Sequence, residues 1–245
     1  MKNMSSSRSD TQKKAIHSSD EVIAFELELF ERAKNWKRYW AKSIAKYVSG
    51  SAVEVGAGIG VNAAYLLNDN VTSLMLLEPD PSLFLNLSSR EFPQNVARAS
   101  KVVQEIEEMF DTVIYIDVLE HIELDREEST AAYSRMSRGA HLVILAPALP
   151  FLYSPFDQAV GHYRRYTKAS LRKAIDPRLE TVSEFYLDSI GLLASLANRL
   201  LLRAAAPSHK QIEVWDRLMV PVSRIIDRLL FYSLGKTVVG VYRKT

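Results

Sequence analysis

SAVEVGAGIGVNAAYLL, residues 51–67, decides the reading of the fold. Three of the nine glycines, Gly56, Gly58 and Gly60, fall within five residues. Ala52-Val53-Glu54-Val55 ahead of them reads as a short buried strand, and Val61 to Leu67 behind them as a helix opening. A strand, a glycine turn and a helix start suit a nucleotide-like ligand, because backbone N–H groups and the helix dipole face it.

Outward from this stretch, apolar runs at 73–77, 111–116 and 141–146, with a weaker one at 95–100, follow at the intervals of βα units. Two further strands are predicted at 180–187 and 236–242. The pattern predicts an α/β, Rossmann-like, seven-stranded and mostly parallel sheet with helices on both faces. Residues 189–233 form a helical insertion before the last strand; Trp215, Leu218, Met219, Val222, Ile225, Ile226, Leu229 and Leu230 are spaced amphipathically, and Pro221 starts or kinks a turn. That insertion reads as packed helical cover or as a membrane-touching surface. Residues 1–20, rich in Ser and Lys, read as a flexible lead-in, and 21–245 as one domain whose first helix, within 21–48, carries Val22, Ile23, Phe25, Leu27, Leu29, Phe30, Trp36, Tyr39 and Trp40. Tyr39 and Trp40 read as core, or as a cover over the ligand.

The chain has no cysteine, which excludes disulfides and thiolate metal sites and suits a cytoplasmic protein. A net charge of +2 gives no footprint for nucleic acid. Asn198, Arg199 and Arg203 interrupt the most apolar stretch, so no membrane span is expected.

Two patterns overlap in the turn. Gly58 to Ala63 satisfies the G-x-G-x-x-A of a dinucleotide site. Glu54 to Gly60 satisfies E-x-G-x-G-x-G, in which a carboxylate precedes the turn and meets a ligand whose next part is cationic rather than phosphate. Glu78, at the tip of the second strand, suits the hydroxyls of a ribose in either case.

The remaining motifs separate them. EVGAGIG (54–60), LLEPD (76–80), FDTVIYIDVLEHI (110–122), LAPALP (145–150) and FDQAVGHYRRYT (156–167) stand in an order and spacing that resembles the class I S-adenosylmethionine-dependent methyltransferases, in particular a bacterial small-molecule group. The resemblance spans 36–245. It implies that S-adenosylmethionine is bound by Glu54, Gly56, Gly58, Gly60, Glu78, Pro79, Asp117 and Val118, with the glycines leaving room for the ligand and S-adenosylhomocysteine as the product. Pro79 and Asp80 also shape the turn. Glu54 either meets the methionine amino group or organises the loop by accepting backbone N–H bonds. After the third strand Ser100, Lys101 and Gln104 offer no acid for the adenine amino group, leaving backbone groups around Val102 for that contact.

The resemblance also implies a methyl acceptor beside Asp117 and the block after the fifth strand. His162 is the first candidate for a general base, Asp157 the next, and His121 either orients its loop or stands beside the acceptor. Arg164 or Arg165 could grip an anionic acceptor, or simply hold the loop down with Asp157. Thr167 to Leu171 reads as a capped helix start. The five histidines look scattered, so no metal site is expected. The acceptor is expected to be a small molecule, with an apolar or lipid-linked one, a polar metabolite and a peptide terminus all left open; a nicotinamide oxidoreductase, lacking a Ser-Tyr-Lys set, and a non-catalytic scaffold are the competing readings.

Overall fold

The computed structural model describes residues 27, 29–197 and 208–245. The expected lead-in, Val22, Ile23 and Phe25, and the polar residues Asn198, Arg199 and Arg203 lie outside the described residues. Seven strands, β1 (Gly50–Val55), β2 (Val71–Leu77), β3 (Val96–Ala99), β4 (Phe110–Ile116), β5 (Met136–Pro147), β6 (Leu179–Leu187) and β7 (Thr237–Lys244), form one sheet in the order β3-β2-β1-β4-β5-β7-β6. The first five pair in parallel, and β7 runs antiparallel to both β5 and β6. Strand β5 is longer than the apolar run at 141–146, because Met136 already pairs with Phe110 before the register shifts.

Alternation along the strands explains why both faces are covered. Ile114, Ile116, Val143 and Leu145 bury against one side together with α1 (Lys34–Ile44) and the short α2 (Ala63–Leu66). Val113, Tyr115, Leu142 and Ile144 bury against the other, under α4 (Asp125–Ser134) and α6 (Lys168–Ala174). Helix α3 (Pro81–Ser89) starts where the Asp80 carboxylate caps the N–H groups of Ser82 and Leu83. Thr167 caps α6 in the same way, bonding to Ser170. Tyr39 and Trp40 are core residues, and Trp40 is fully buried.

Between β6 and β7 come α7 (Ser189–Ala197), α8 (His209–Val214), a π-turn (Trp215–Met219) and α9 (Val220–Leu229), with Pro221 in the first turn of α9. Three buried acids pin this insertion. Asp216 accepts the Trp36 N–H of α1 at 2.8 Å. Asp188 accepts Trp215 Nε1 and the Ser223 hydroxyl, each at 2.7 Å. Asp227 accepts the Tyr39 hydroxyl and the Asp188 N–H, each at 2.7 Å. Among the described residues no helix is long and apolar enough to cross a membrane.

The strand order reverses between β1 and β4, so a crevice opens at their carboxyl ends, the usual ligand position of such sheets. The glycine turn sits there, and two of its glycines are required by the fold itself. Gly56 has φ +69°, and a Cβ would lie 2.8 Å from the Val118 methyls. Gly60 has φ +76°, and a Cβ would lie 2.5 Å from Leu87 and 2.8 Å from Phe92. At these two positions packed protein alone is enough to require glycine. Gly60→Ala is expected to cost about 2–4 kcal/mol, combining left-handed strain with overpacking, as read from the urea midpoint.

Candidate functional site

The crevice rim brings together the ends of β1, β2, β4 and β5. Glu54, in β1, is buried under the turn; its Oε1 accepts Asn62 Nδ2 at 2.9 Å and its Oε2 has no hydrogen-bond partner. Burial raises its carboxyl to about 8, with the nearby Glu78 charge adding and Asn62 and Lys37 opposing. Glu78 closes the turn: its Oε2 accepts the Gly58 N–H at 2.7 Å and its Oε1 the Asp80 N–H at 2.9 Å. The loop-organising work offered to Glu54 by the sequence thus falls to Glu78, whose oxygens keep their second lone pairs. At Gly58 (φ +56°) a Cβ would meet only the tip of Leu27, at 3.4 Å, so here the backbone remains approachable.

Asp117 opens from β4 into the crevice with φ +53°, strained for a non-glycine residue, and its N–H is tied to Leu145 O at 2.9 Å. Val118 packs on Gly56, while Pro79 is exposed beside the Asp80 cap. After β3, Gln104 donates to Glu128 at 2.7 Å and the Val102 N–H goes to Glu105 at 3.1 Å. Gln104 and the Val102 N–H are thus engaged within the chain, while Ser100 and Lys101 are exposed.

Lys37 is a site residue that sequence reasoning missed. It lies on α1 among Trp36, Tyr39 and Trp40, is 5% exposed, and donates to Phe30 O at 2.5 Å. Burial lowers its ammonium to about 8 against the attraction of Asp117, Asp216, Glu31 and Glu54. A lysine on the apolar face of a helix was the signal that could have exposed it.

The block after β5 folds over the same edge. Ser154 caps α5 (Pro155–Ala159) and Asp157 bonds back to it, placing the Asp157 carboxylate inside the loop. There it accepts Arg165 through Nε at 2.8 Å and a terminal nitrogen at 3.1 Å, and lies 3.0 Å from His162 Nδ1. Burial opposes ionisation, but the hydrogen bonds from His162, Arg165 and Ser154 hold the carboxyl well below the usual range. This geometry is that of an orienting group, since no oxygen of Asp157 faces solvent. Arg164 pairs with Asp125 at 2.5 Å and with Glu123 O at 2.7 Å. Arg164 thus ties the loop to Glu123 and Asp125, while Arg165 is engaged by Asp157 within the loop.

Nδ1 of His162 faces the Asp157 carboxylate, and the tautomer that donates there carries its lone pair on Nε2. The His121 ring stands edge-on to His162, centroids 4.6 Å apart, and burial with the His162 neighbour lowers it to about 4, keeping it neutral. Glu120 completes the group, its Oε1 3.9 Å from His162 Nε2. The histidines are therefore not all scattered. Glu120, His121 and His162 each bring a ligand atom within 4.8 Å of the others, a grouping that could hold a metal ion. A cleft of about 490 Å³ lies on the outer side of this loop, lined by Tyr153, Tyr163 and Arg165 but not by Glu54, Glu78 or Asp117.

No known family model matches the chain, and no curated protein matches it. Solved structures do. A chain from the Haloferax volcanii complex of the Trm112 methyltransferase activator superposes with TM-score 0.63 at 11% identity, over 93% of this chain and 97% of that one. The N-methyltransferase NodS of Bradyrhizobium japonicum WM9, bound to S-adenosylhomocysteine, gives 0.57 at 14% identity over 94% and 98%. Geranyl diphosphate methyltransferase in complex with S-adenosylmethionine gives 0.58 at 10% identity over 85% of each chain. At such identities the likeness fixes the fold: it is that of the class I S-adenosylmethionine-dependent methyltransferases.

Proposed function

We propose that the chain is an S-adenosylmethionine-dependent methyltransferase acting on a small-molecule acceptor. One observation carries this reading: the buried Glu54 has an unpartnered oxygen beneath the glycine turn. With Glu78 and Asp117 it lines the crevice with acids, which suits a ligand bearing an ammonium and a sulfonium. Glu78 would serve either ligand, but Glu54 beneath the turn disfavours a dinucleotide, whose pyrophosphate wants a helix N-terminus; here α2 is only four residues long and starts beyond Gly60.

In this reading Glu54 takes the amino group, Glu78 the ribose hydroxyls through its spare lone pairs, and the Gly58 backbone and Val118 the flanks. Pro79 and Asp80 hold the β2 turn in place. When bound, the cofactor supplies an electrophilic methyl group on sulfur. The chain orients the acceptor for in-line attack and removes its proton. His162 Nε2 is the proton acceptor, Asp157 fixes its tautomer and stabilises the imidazolium, and neutral His121 fixes the ring's pose by edge-on packing. An apolar or lipid-linked acceptor fits the apolar character of the insertion beside the crevice.

Thermal shift separates the competing readings. S-adenosylhomocysteine at about 100 times its Kd should stabilise the protein by about 2.7 kcal/mol while NADH gives no shift. Gly58→Val, a β-branched residue at φ +56°, should abolish the response. A shift with NADH alone would assign the site to a dinucleotide, and no shift with either ligand would leave a scaffold.

A further inference from the structure

Helix α9 is built inside out. Its inner face carries Val220, Ser223 and Asp227, all buried, with the polar pair bonded to Asp188, Ser189 and Tyr39. Because polar anchors occupy the inside, the apolar side chains point outward. Val214, Leu218, Val222, Ile225 and Leu229 recur at three- and four-residue steps, one stripe along the run from α8 through the π-turn into α9. Leu218 is 64% exposed, Ile225 64% and Leu229 68%.

The stripe ends on a forced turn. Phe231 and Tyr232 have φ +49° and +54°, a conformation that bulky residues adopt only when their surroundings impose it. Tyr232 supplies the imposition: its N–H donates to Asp227 O at 2.7 Å, its O accepts the Tyr186 N–H at 2.9 Å, and its ring packs edge-on against Phe185. The outcome is a Phe231 side chain held out of the fold, 89% exposed. The charges beside the stripe are biased too. Asp216 and Asp227 are turned inward, so the exposed charges from His209 to Leu230 are Lys210, Arg217, Arg224 and Arg228 against the single acid Glu213.

We propose that this stripe docks on an anionic lipid surface, with α9 lying in its plane, Phe231 and Leu229 sunk to headgroup depth and the arginines on the phosphates. A straight apolar line of roughly 25 Å with one projecting aromatic and a cationic margin matches a flat anionic interface. The insertion is bonded to α1, the helix that packs on the sheet beside the crevice, so docking ties that side of the domain to the lipid. For the acceptor this rests on the methyltransferase reading and narrows it to an amphipathic molecule taken from the membrane; the docking itself stands without it.

The test is flotation of the full-length protein with phosphatidylcholine vesicles with and without phosphatidylglycerol. Binding is expected to the phosphatidylglycerol vesicles, with release on raising salt. The double variant Leu229→Glu with Phe231→Glu should lose at least about tenfold in partitioning with its melting temperature unchanged. The triple variant Arg217→Gln, Arg224→Gln, Arg228→Gln should lose roughly a hundredfold, at about fivefold per arginine. Equal binding by wild type and variants, or wild type that ignores anionic vesicles, overturns the proposal. So does light scattering that shows a dimer broken by the Leu229 and Phe231 changes, which gives the stripe to a second copy. A thermal shift with S-adenosylhomocysteine retained in the variants keeps the two readings separable.

Discussion

Glu54→Gln is expected to weaken S-adenosylhomocysteine binding by roughly 30- to 1,000-fold, the about 2–4 kcal/mol typical of breaking a buried charged contact. The side chain keeps its shape and its neighbour Asn62, so the loss reports the charge. Its pH dependence is the sharper part. Burial raises the Glu54 carboxyl to about 8, so the ligand-free protein holds a proton there at neutral pH, and an incoming ammonium must displace it. Affinity should therefore climb about tenfold per pH unit towards pH 8 and level off above it. Calorimetry at pH 6 to 9 would show the slope, and the glutamine variant should show none. Stability runs the other way. The folded-state value is raised, so this group's contribution is complete below the unfolded carboxyl pKa of 4.5 and is lost as pH rises through about 8. The ligand-free melting temperature should fall across that window in the wild type and less in the variant. A pH-independent affinity in the wild type would remove Glu54 from the ligand site.

Asp157→Ala is expected to cost about 3–5 kcal/mol, because Arg165 and His162 lose the partner that justified burying them. For a chain of this size that is a drop in melting temperature of about 6–20 °C. Asp157→Asn keeps the volume and some of the Ser154 cap, so its stability loss should be smaller. It should still change the imidazole, since an amide offers His162 Nδ1 either an acceptor or a donor and no charge. Nitrogen NMR of the His162 ring should then report a shifted tautomer ratio, with methyl transfer falling on the order of 100- to 10,000-fold once an acceptor is in hand. Because the Asp157 carboxyl is held low, its stabilisation is complete above the ordinary aspartate range and is lost only in strong acid. An alanine variant as stable as the wild type would show that the loop stands without its ionic centre.

The architecture was legible because it is written locally. Continuous apolar runs in 111–116 and 141–146, glycines at 56, 58 and 60, and the acids at strand tips placed four of the parallel strands and the ligand edge within a few residues. The roles at that edge were less legible. Glu54 and Glu78 both read as acids near a turn, yet only the fold shows Glu78 bracing Gly58 and Asp80 while Glu54 keeps a bare oxygen. Arg164 and Arg165 read either as anion clamps or as loop anchors, and only the fold shows their pairing with Asp125 and Asp157.

Sequence alone determined the strand–turn–helix unit, the parallel core and the rim on which its acids stand, because strand alternation and left-handed glycines depend on neighbours in the chain. Tertiary structure decided what each polar group faces. His121 and His162 meet because the loops after β4 and β5 leave adjacent strands at the same edge. The outward stripe of α9 exists because Asp227 and Ser223 find donors and acceptors on α1 and at the end of β6. Helical periodicity gives the spacing of a stripe but not the rotation of the helix about its axis; distant hydrogen-bond partners set that rotation, and with it the face left to water.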